Sequence, residues 1–318
     1  MNGPIITVTL NPAIDQTVTL NQLIHGAVNI AERVTLNAGG KGVNVAGCLA
    51  DWGTPVLATG ILGGENSAPF EAMFASKGIG NRFVVQPGAS RVNIKLVSTD
   101  DGATTDINLP GQTVAASVYA QLIERLDDLC ETGRVVVLAG SLPLGLSQDS
   151  YASLIQRLTQ HGALVALDTS GPALSAALAA PVLPFCIKPN RHELEQWAGK
   201  ALPTLSDVTS TARALVRQGV QQVVVSLAEQ GALFVGQNKG CWLASPPPIT
   251  PASSVGAGDA LLAGWLAAQH QGRNWQDAMR LALAFAAGKL GRIGPNLPDP
   301  HEVEHLAQAV TLSRVQDE

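Results

Sequence analysis

Six short runs rich in Val, Ile and Leu recur along the chain, at 5–10, 55–60, 134–139, 163–168, 185–188 and 221–226. Longer amphipathic segments separate them, near 42–51, 68–76, 117–129, 149–159 and 207–217, each long enough for a crossover helix. That rhythm predicts a parallel sheet covered by helices. It fails in two places, 15–36 and 91–109, which read as β with no crossover helix between strands. These two segments are expected to pair as a small separate sheet, a lid. Beyond position 255 the pattern turns helical, over 257–270, 275–290 and 300–312. No internal repeat, low-complexity tract or flexible linker interrupts residues 1–318, so one domain is expected.

Composition narrows the partners. A chain of 318 residues that is 46% hydrophobic and 14% charged has ample material for a core. Its net charge of -5, with no block of Lys or Arg, points away from nucleic acid and from anionic membranes. A few local cations must then grip any anionic ligand. Cys48, Cys130, Cys186 and Cys241 are widely spaced, which argues against a disulfide framework and fits a reducing cytoplasm. The longest apolar stretch, 260–268, is half the length a bilayer requires, and the first residues carry no basic start, so the protein is expected to be neither secreted nor membrane-bound.

Candidate chemistry concentrates at Gly-rich helix entries. Ser253-Ser254-Val255-Gly256-Ala257-Gly258-Asp259 precedes the 257–270 helix. Bare N–H groups and the positive end of a helix make such a turn suited to phosphate, and Asp259 in the first turn can take a proton from an attacking hydroxyl. A plain Gly-rich turn with a dipole-favoured acid explains the same letters equally well. A dinucleotide fingerprint would need Gly where Leu261 stands, and there is no Walker A motif. At Asn37-Ala38-Gly39-Gly40-Lys41-Gly42-Val43-Asn44, Lys41 falls near the positive end of a helix, a placement costing about 0.3–1 kcal/mol unless an anion compensates. An anion is therefore expected there, with Asn44 one turn on.

Other motifs are ambiguous alone. Arg91, Asn93 and Lys95 share one face of a strand and could clamp a phosphate, though a solvated face is the common reason for such alternation. Asn190 and Glu193, after Lys188-Pro189, could hold Mg²⁺ through waters but equally spell a capping box. Asp15, after Asn11-Pro12-Ala13-Ile14, could receive sugar hydroxyls or simply close a turn. His301-Glu302-Val303-Glu304-His305 matches a zinc-protease pattern letter for letter, yet Asp299-Pro300 marks it as a capped helix start.

Taken together these motifs resemble the PfkB/ribokinase family across essentially the whole chain. Gly39-Gly40-Lys41-Gly42-x-Asn44 and Val255-Gly256-Ala257-Gly258-Asp259 carry most of the likeness. Thr9-Leu10-Asn11-Pro12-Ala13-x-Asp15, Gly140-Ser141-Leu142-Pro143, Lys188-Pro189-Asn190-x-x-Glu193 and Val225-Ser226-Leu227 with Gly231-Ala232 add to it. The resemblance implies an α/β fold, a ribokinase-like three-layer Rossmann-type sandwich, with a small β lid at about 14–38 and 90–110. It implies MgATP as phosphoryl donor, room for a monovalent cation, a sugar-phosphate substrate and a homodimer joined through the lids.

By the same resemblance Asp259 is the catalytic base, and Gly256, Ala257 and Gly258 supply an anion hole. Asn190 and Glu193 manage Mg²⁺, while Lys188, Ser226, Gly231, Ser254 and Lys289 lie along the nucleotide. Asp15, Gly39, Gly40, Lys41, Asn44, Arg91, Lys95 and Ser141 hold the sugar phosphate. Asn11-Pro12-Ala13, Gly40-Lys41-Gly42 and Asn81-Arg82-Phe83 through Arg91-x-Asn93-x-Lys95-Leu96 are most similar to members acting on fructose 1-phosphate. Members acting on tagatose 6-phosphate or fructose 6-phosphate share most of these features. Two positions depart from the pattern: Ala228 stands where Gly is usual, and Ala260 where Ser is common.

Overall fold

The valine-rich runs become strands because their side chains find apolar cover on both faces. In the computed structural model, which describes residues 3–249, 256–292 and 296–316, the chain opens with β1 (Ile5–Thr9), β2 (Ala13–Leu20), β3 (Arg33–Gly39), α1 (Lys41–Asp51) and β4 (Val56–Gly63). Next come α2 (Ala68–Lys77), the short strands β5 (Gly80–Asn81) and β6 (Val84–Gln86), then β7 (Arg91–Ser98) and β8 (Thr104–Ile107). Strict alternation follows: α3 (Ala116–Leu129), β9 (Val135–Ala139), α4 (Ser150–Gln160), β10 (Leu164–Asp168), α5 (Gly171–Ala179), β11 (Cys186–Ile187) and α6 (Arg191–Ala198). Then α7 (Leu205–Gln218) leads into β12 (Gln222–Ser226), β13 (Ala232–Gly236) and β14 (Gly240–Ser245). Last are α8 (Ala257–His270), α9 (Trp275–Leu290), α10 (Pro300–Ala309) and β15 (Thr311–Arg314).

In the main sheet β4, β1, β9, β10, β11 and β12 run parallel side by side, and β5 and β6 both pair with β4. The other edge continues antiparallel through β13, β14 and β15. Successive residues of a strand face opposite ways. Val135, Val137 and Ala139 of β9 thus join a core with Leu49 of α1, Trp265 of α8 and Phe285 of α9, while Val136 and Leu138 join another with Leu122 of α3 and Tyr151 of α4. Burying each such side chain contributes about 1.5–3 kcal/mol, and two cores on one sheet make the three layers.

A second sheet, in the order β3-β2-β7-β8, stands apart. Its register puts Asp15 beside Asn37 and Asn93, and Thr17 beside Lys95, so one face is polar. The alternate residues, Val34, Leu36, Ile94, Leu96 and Ile107 among them, make the other face apolar. Val34 and Leu36 are more than half exposed, as are Val28 and Ile30 in the segment before β3.

One expectation about the end of the chain changes. The helix expected over 300–312 stops at Ala309, and Thr311–Arg314 pairs with β14 instead. A free antiparallel edge offers the backbone N–H and C=O groups of this β-branched start a ladder that outweighs one more helical turn. The β13–β14 hairpin closes on a turn at Gln237, Asn238 and Lys239, with Asn238 at φ 60. No helix among the described residues is long and apolar enough to cross a membrane.

Candidate active site

The site forms where the parallel strands end. Gly40 caps α1 at φ 106, and a Cβ at Gly42 would lie 2.4 Å from Thr9 Oγ1 and 3.0 Å from the Val8 carbonyl. Bare glycines thus let α1 begin flush against β1, which aims Lys41 across the sheet edge. Its Nζ donates to Asp168 Oδ1 at 2.8 Å, and Lys188 Nζ lies 3.5 Å from Asp168 Oδ2. The anion expected opposite Lys41 is therefore the protein's own carboxylate. Asp168, which closes β10, is only 1% exposed, and Lys188, just past β11, is 3% exposed. Burial alone would raise the Asp168 carboxyl, but Lys188 and Lys41 hold it below the ordinary carboxylate range. Burial also works against the charge on Lys41, and Asp168 more than reverses that, so Lys41 stays a cation at any physiological pH. Removing one partner of such a buried group costs about 3–5 kcal/mol, because the other charge is left uncompensated.

Facing this pair is the start of α8. Gly256 caps it in the left-handed region at φ 77, and the first-turn N–H groups that follow have no helical acceptor. Two lysines pack against the turn. A Cβ on Gly258 would sit 3.3 Å from Lys188 Nζ, and one on Gly256 would sit 3.2 Å from Lys289 Cε. Lys289, near the end of α9, is buried, which pulls its pKa down. Asp259 is 7% exposed and accepts from Asn44 Nδ2 at 2.8 Å. Burial pushes its carboxyl up to about 6 against the pull of Lys41, and the nearby Asp168 charge adds to the rise. A carboxylate poised there can accept a proton near neutral pH.

The polar face of the second sheet meets this edge. Asn93 Nδ2 donates to Asp15 Oδ1 at 3.1 Å, burial raises the Asp15 pKa, and a Cβ on Gly39 would come 2.3 Å from Asp15 Oδ2. Arg91 donates to the carbonyls of Asn11 and Leu109, at 3.1 and 3.2 Å, and its buried Nε is left without a partner. Asn11 Nδ2 reaches Ser141 Oγ at 3.1 Å, joining the end of β1 to the loop after β9. Lys95 shares the face of Arg91 and Asn93 but stands farther along β7, paired with Asp106 at 3.5 Å.

Asn190 and Glu193 form the capping box of α6, each backbone N–H bonded to the other side chain at 2.8 Å. Ser226 bridges Asn190, its N–H donating to the Pro189 carbonyl at 3.0 Å, so these residues are brought together at the sheet edge. Gly231 has a structural reason of its own: at φ 96, a Cβ would stand 2.0 Å from the Ala244 carbonyl. Ser254 lies outside the described residues. Glu302 and Glu304 of the zinc-like pattern pair with Arg292 and Arg273, and among the described residues no three His, Cys, Asp or Glu side chains gather to hold a metal. Asp168 and Asn11 were not among the expected site residues. For Asp168 the signal was present, an acid closing the apolar run Leu164-Val165-Ala166-Leu167 at the strand end where ligands of open α/β sheets collect.

Known proteins share both the sequence and the fold. Residues 8–302 match the pfkB family of carbohydrate kinases. The 1-phosphofructokinase of Xanthomonas campestris pv. campestris is 46% identical over 98% of each chain, and that of Escherichia coli K12 is 37% identical over 98% of this chain and 99% of its own. Phosphofructokinase-2 of Escherichia coli, solved in complex with substrates and products, superposes with a TM-score of 0.90 at 28% identity, covering 96% of this chain and 99% of that one. Arabidopsis thaliana ribokinase, with ribose and ATP, shares the fold at a TM-score of 0.75 and 21% identity, covering 97% of this chain and 99% of its own. The chain belongs to the pfkB family of carbohydrate kinases.

Proposed function

We propose that this kinase transfers the γ-phosphoryl group of ATP to the C6 hydroxyl of fructose 1-phosphate, yielding fructose 1,6-bisphosphate. One observation carries the chemistry: a buried carboxylate, Asp259, raised to about 6, in the first turn of a helix whose cap is a left-handed glycine. The relatives named 1-phosphofructokinase, which align along nearly their full length, support the choice of sugar phosphate. In this reading Asp259 draws the proton from the attacking hydroxyl. The amides of Gly256, Ala257 and Gly258 and the Lys41 ammonium offset charge on the transferring group, where catalysis of this kind mostly lies. Asp15, Asn44, Arg91 and Ser141 orient the sugar phosphate between the two sheets, with Gly39 and Gly40 allowing its close approach. The polar face of the small sheet closes over it and keeps water from the donor.

Asn190 and Glu193 suit Mg²⁺ held through waters. Glu193 Oε2 is committed to the cap, which leaves Oε1 for a coordinated water. Mg²⁺ takes few protein ligands and keeps its waters, so a site without a carboxylate cage fits it. When bound, the ion would neutralise charge on the donor phosphates. Lys188, Ser226, Gly231 and Lys289 line the approach of the nucleotide, and the structure of phosphofructokinase-2 solved with potassium supports a place for a monovalent cation as well. The exposed apolar face of the small sheet supports a homodimer through the lids.

ADP release with MgATP tests the assignment, with fructose 1-phosphate, fructose 6-phosphate, tagatose 6-phosphate and fructose compared by kcat/KM. Fructose 1-phosphate is expected to lead; a preferred 6-phosphate would keep the mechanism and change the substrate. Binding without turnover would indicate a sugar-phosphate sensor on a kinase fold. Asp259→Asn is expected to fold and bind ATP while losing turnover by several orders of magnitude, and near-normal activity would remove Asp259 as the base.

A further inference from the structure

Lys41 and Lys188 approach from different elements, one opening α1 and the other following β11, and both ammonium groups end on one carboxylate. Asp168 lies between them with its side chain wholly shielded from solvent, 2.8 Å from the first and 3.5 Å from the second. The contacts then continue around the site. Lys188 lies against Gly258, the next residue is Asp259, Asp259 accepts from Asn44, and Asn44 sits on α1 one turn from Lys41. These side chains close a circuit, and Asp168 is its innermost member.

We infer that Asp168 is a positioning residue for phosphoryl transfer, whose buried carboxylate fixes Lys41 and Lys188 and thereby sets the charge that faces the proton acceptor and the transferring group. The inference rests on the reading of Asp259 as base. Asp168 itself touches no substrate, because it is sealed, whereas Lys41 keeps 35% of its side chain open. Buried ion pairs are often no more stable than apolar residues of the same volume, so stability alone gives little reason for a carboxylate between two lysines. Two cations anchored on a sealed anion are, by contrast, preorganised: they need not reorient as charge develops in front of them. The charged and titratable groups that face Asp259 are Lys41 and Cys48 from α1, Asp168 from β10, Lys188 beyond β11 and Lys289 from α9. Of these only Asp168 adds a second carboxylate, and its charge opposes ionisation of Asp259.

Asp168→Asn keeps the shape and deletes the charge. With MgATP and the preferred sugar phosphate, kcat is expected to fall at least 100-fold. The acid limb of kcat/KM, expected near pH 6 in the parent, is expected to move to lower pH, since Asp259 loses a negative neighbour. Asp168→Glu, which restores charge, is expected to bring the limb back toward the parent position. A merely structural carboxylate would lower the melting temperature and leave the limb where it was, and kcat within threefold of the parent with an unmoved limb overturns the inference. Should Asp168→Asn not fold, Lys188→Met decides: the circuit predicts a fall in kcat with the sugar-phosphate KM little changed, and an unchanged kcat overturns it. Asp259→Asn in the same assay separates the two claims. If that variant turns over normally, the base assignment fails regardless of Asp168; if it is inactive while Asp168→Asn behaves as the parent, only the positioning role fails.

Discussion

Ala228 holds φ 51 in the short turn between β12 and β13, where the Gly231 N–H donates back to its carbonyl at 3.0 Å. A left-handed conformation costs a residue with a Cβ about 1–2 kcal/mol, a cost glycine escapes. Ala228→Gly is therefore expected to stabilise the fold by about 1 kcal/mol in urea denaturation, the gain being trimmed by the greater freedom of glycine in the unfolded chain. No gain would mean that the turn bears no strain. Lys41 shows how far such local physics reaches. Its position at the positive end of a helix called for an anion, and one is there, but Asp168 is 127 residues away in sequence, and no local pattern pairs them. Asn190 and Glu193 likewise satisfied their bland description as a capping box without forfeiting a place at the sheet edge.

Among elements, α1 is the most exacting, because it carries Lys41 and Asn44 and packs on β1 through bare backbone. Gly42→Ala would drive a methyl into Thr9 Oγ1 and the Val8 carbonyl, so the helix must shift. A loss of about 1–3 kcal/mol is expected by thermal denaturation, and kcat should fall with it as both side chains leave register. Parent-like stability and activity would show that the helix can yield at this point. Strands buried on both faces, such as β9 with Val135 to Ala139 at its centre, were legible because nothing but apolar residues can fill them. The β13–β14 hairpin was not, since Gly231, Gly236 and Gly240 break the apolar run and its partner is another turn of chain. Strand β15 was hidden for a different reason: four residues after a helix acquire strand character only from the free edge of β14.

At the scale of the molecule, the small sheet presents one polar and one apolar face, and the apolar one is largely open in a single chain. Val34 and Leu36 are 51% and 55% exposed, too much contiguous apolar surface to leave wet without penalty. Sedimentation velocity is expected to find a dimer for the parent and a monomer for the double variant Val34→Asp with Leu36→Asp; a monomeric parent would remove the lid-to-lid interface. The small sheet was foreseeable from its missing crossover helices, whereas the circuit around Asp168 was not, because its members come from every part of the chain. Asn11 meets Ser141 across 130 residues and Asn44 meets Asp259 across 215. Proteins are synthesised from the amino end, at a pace of about 5–20 residues per second. Asp15, Lys41, Asp168 and Lys188 are therefore all synthesised before the helix bearing Asp259 is made, and a nascent chain goes for seconds without the carboxylate proposed as its base.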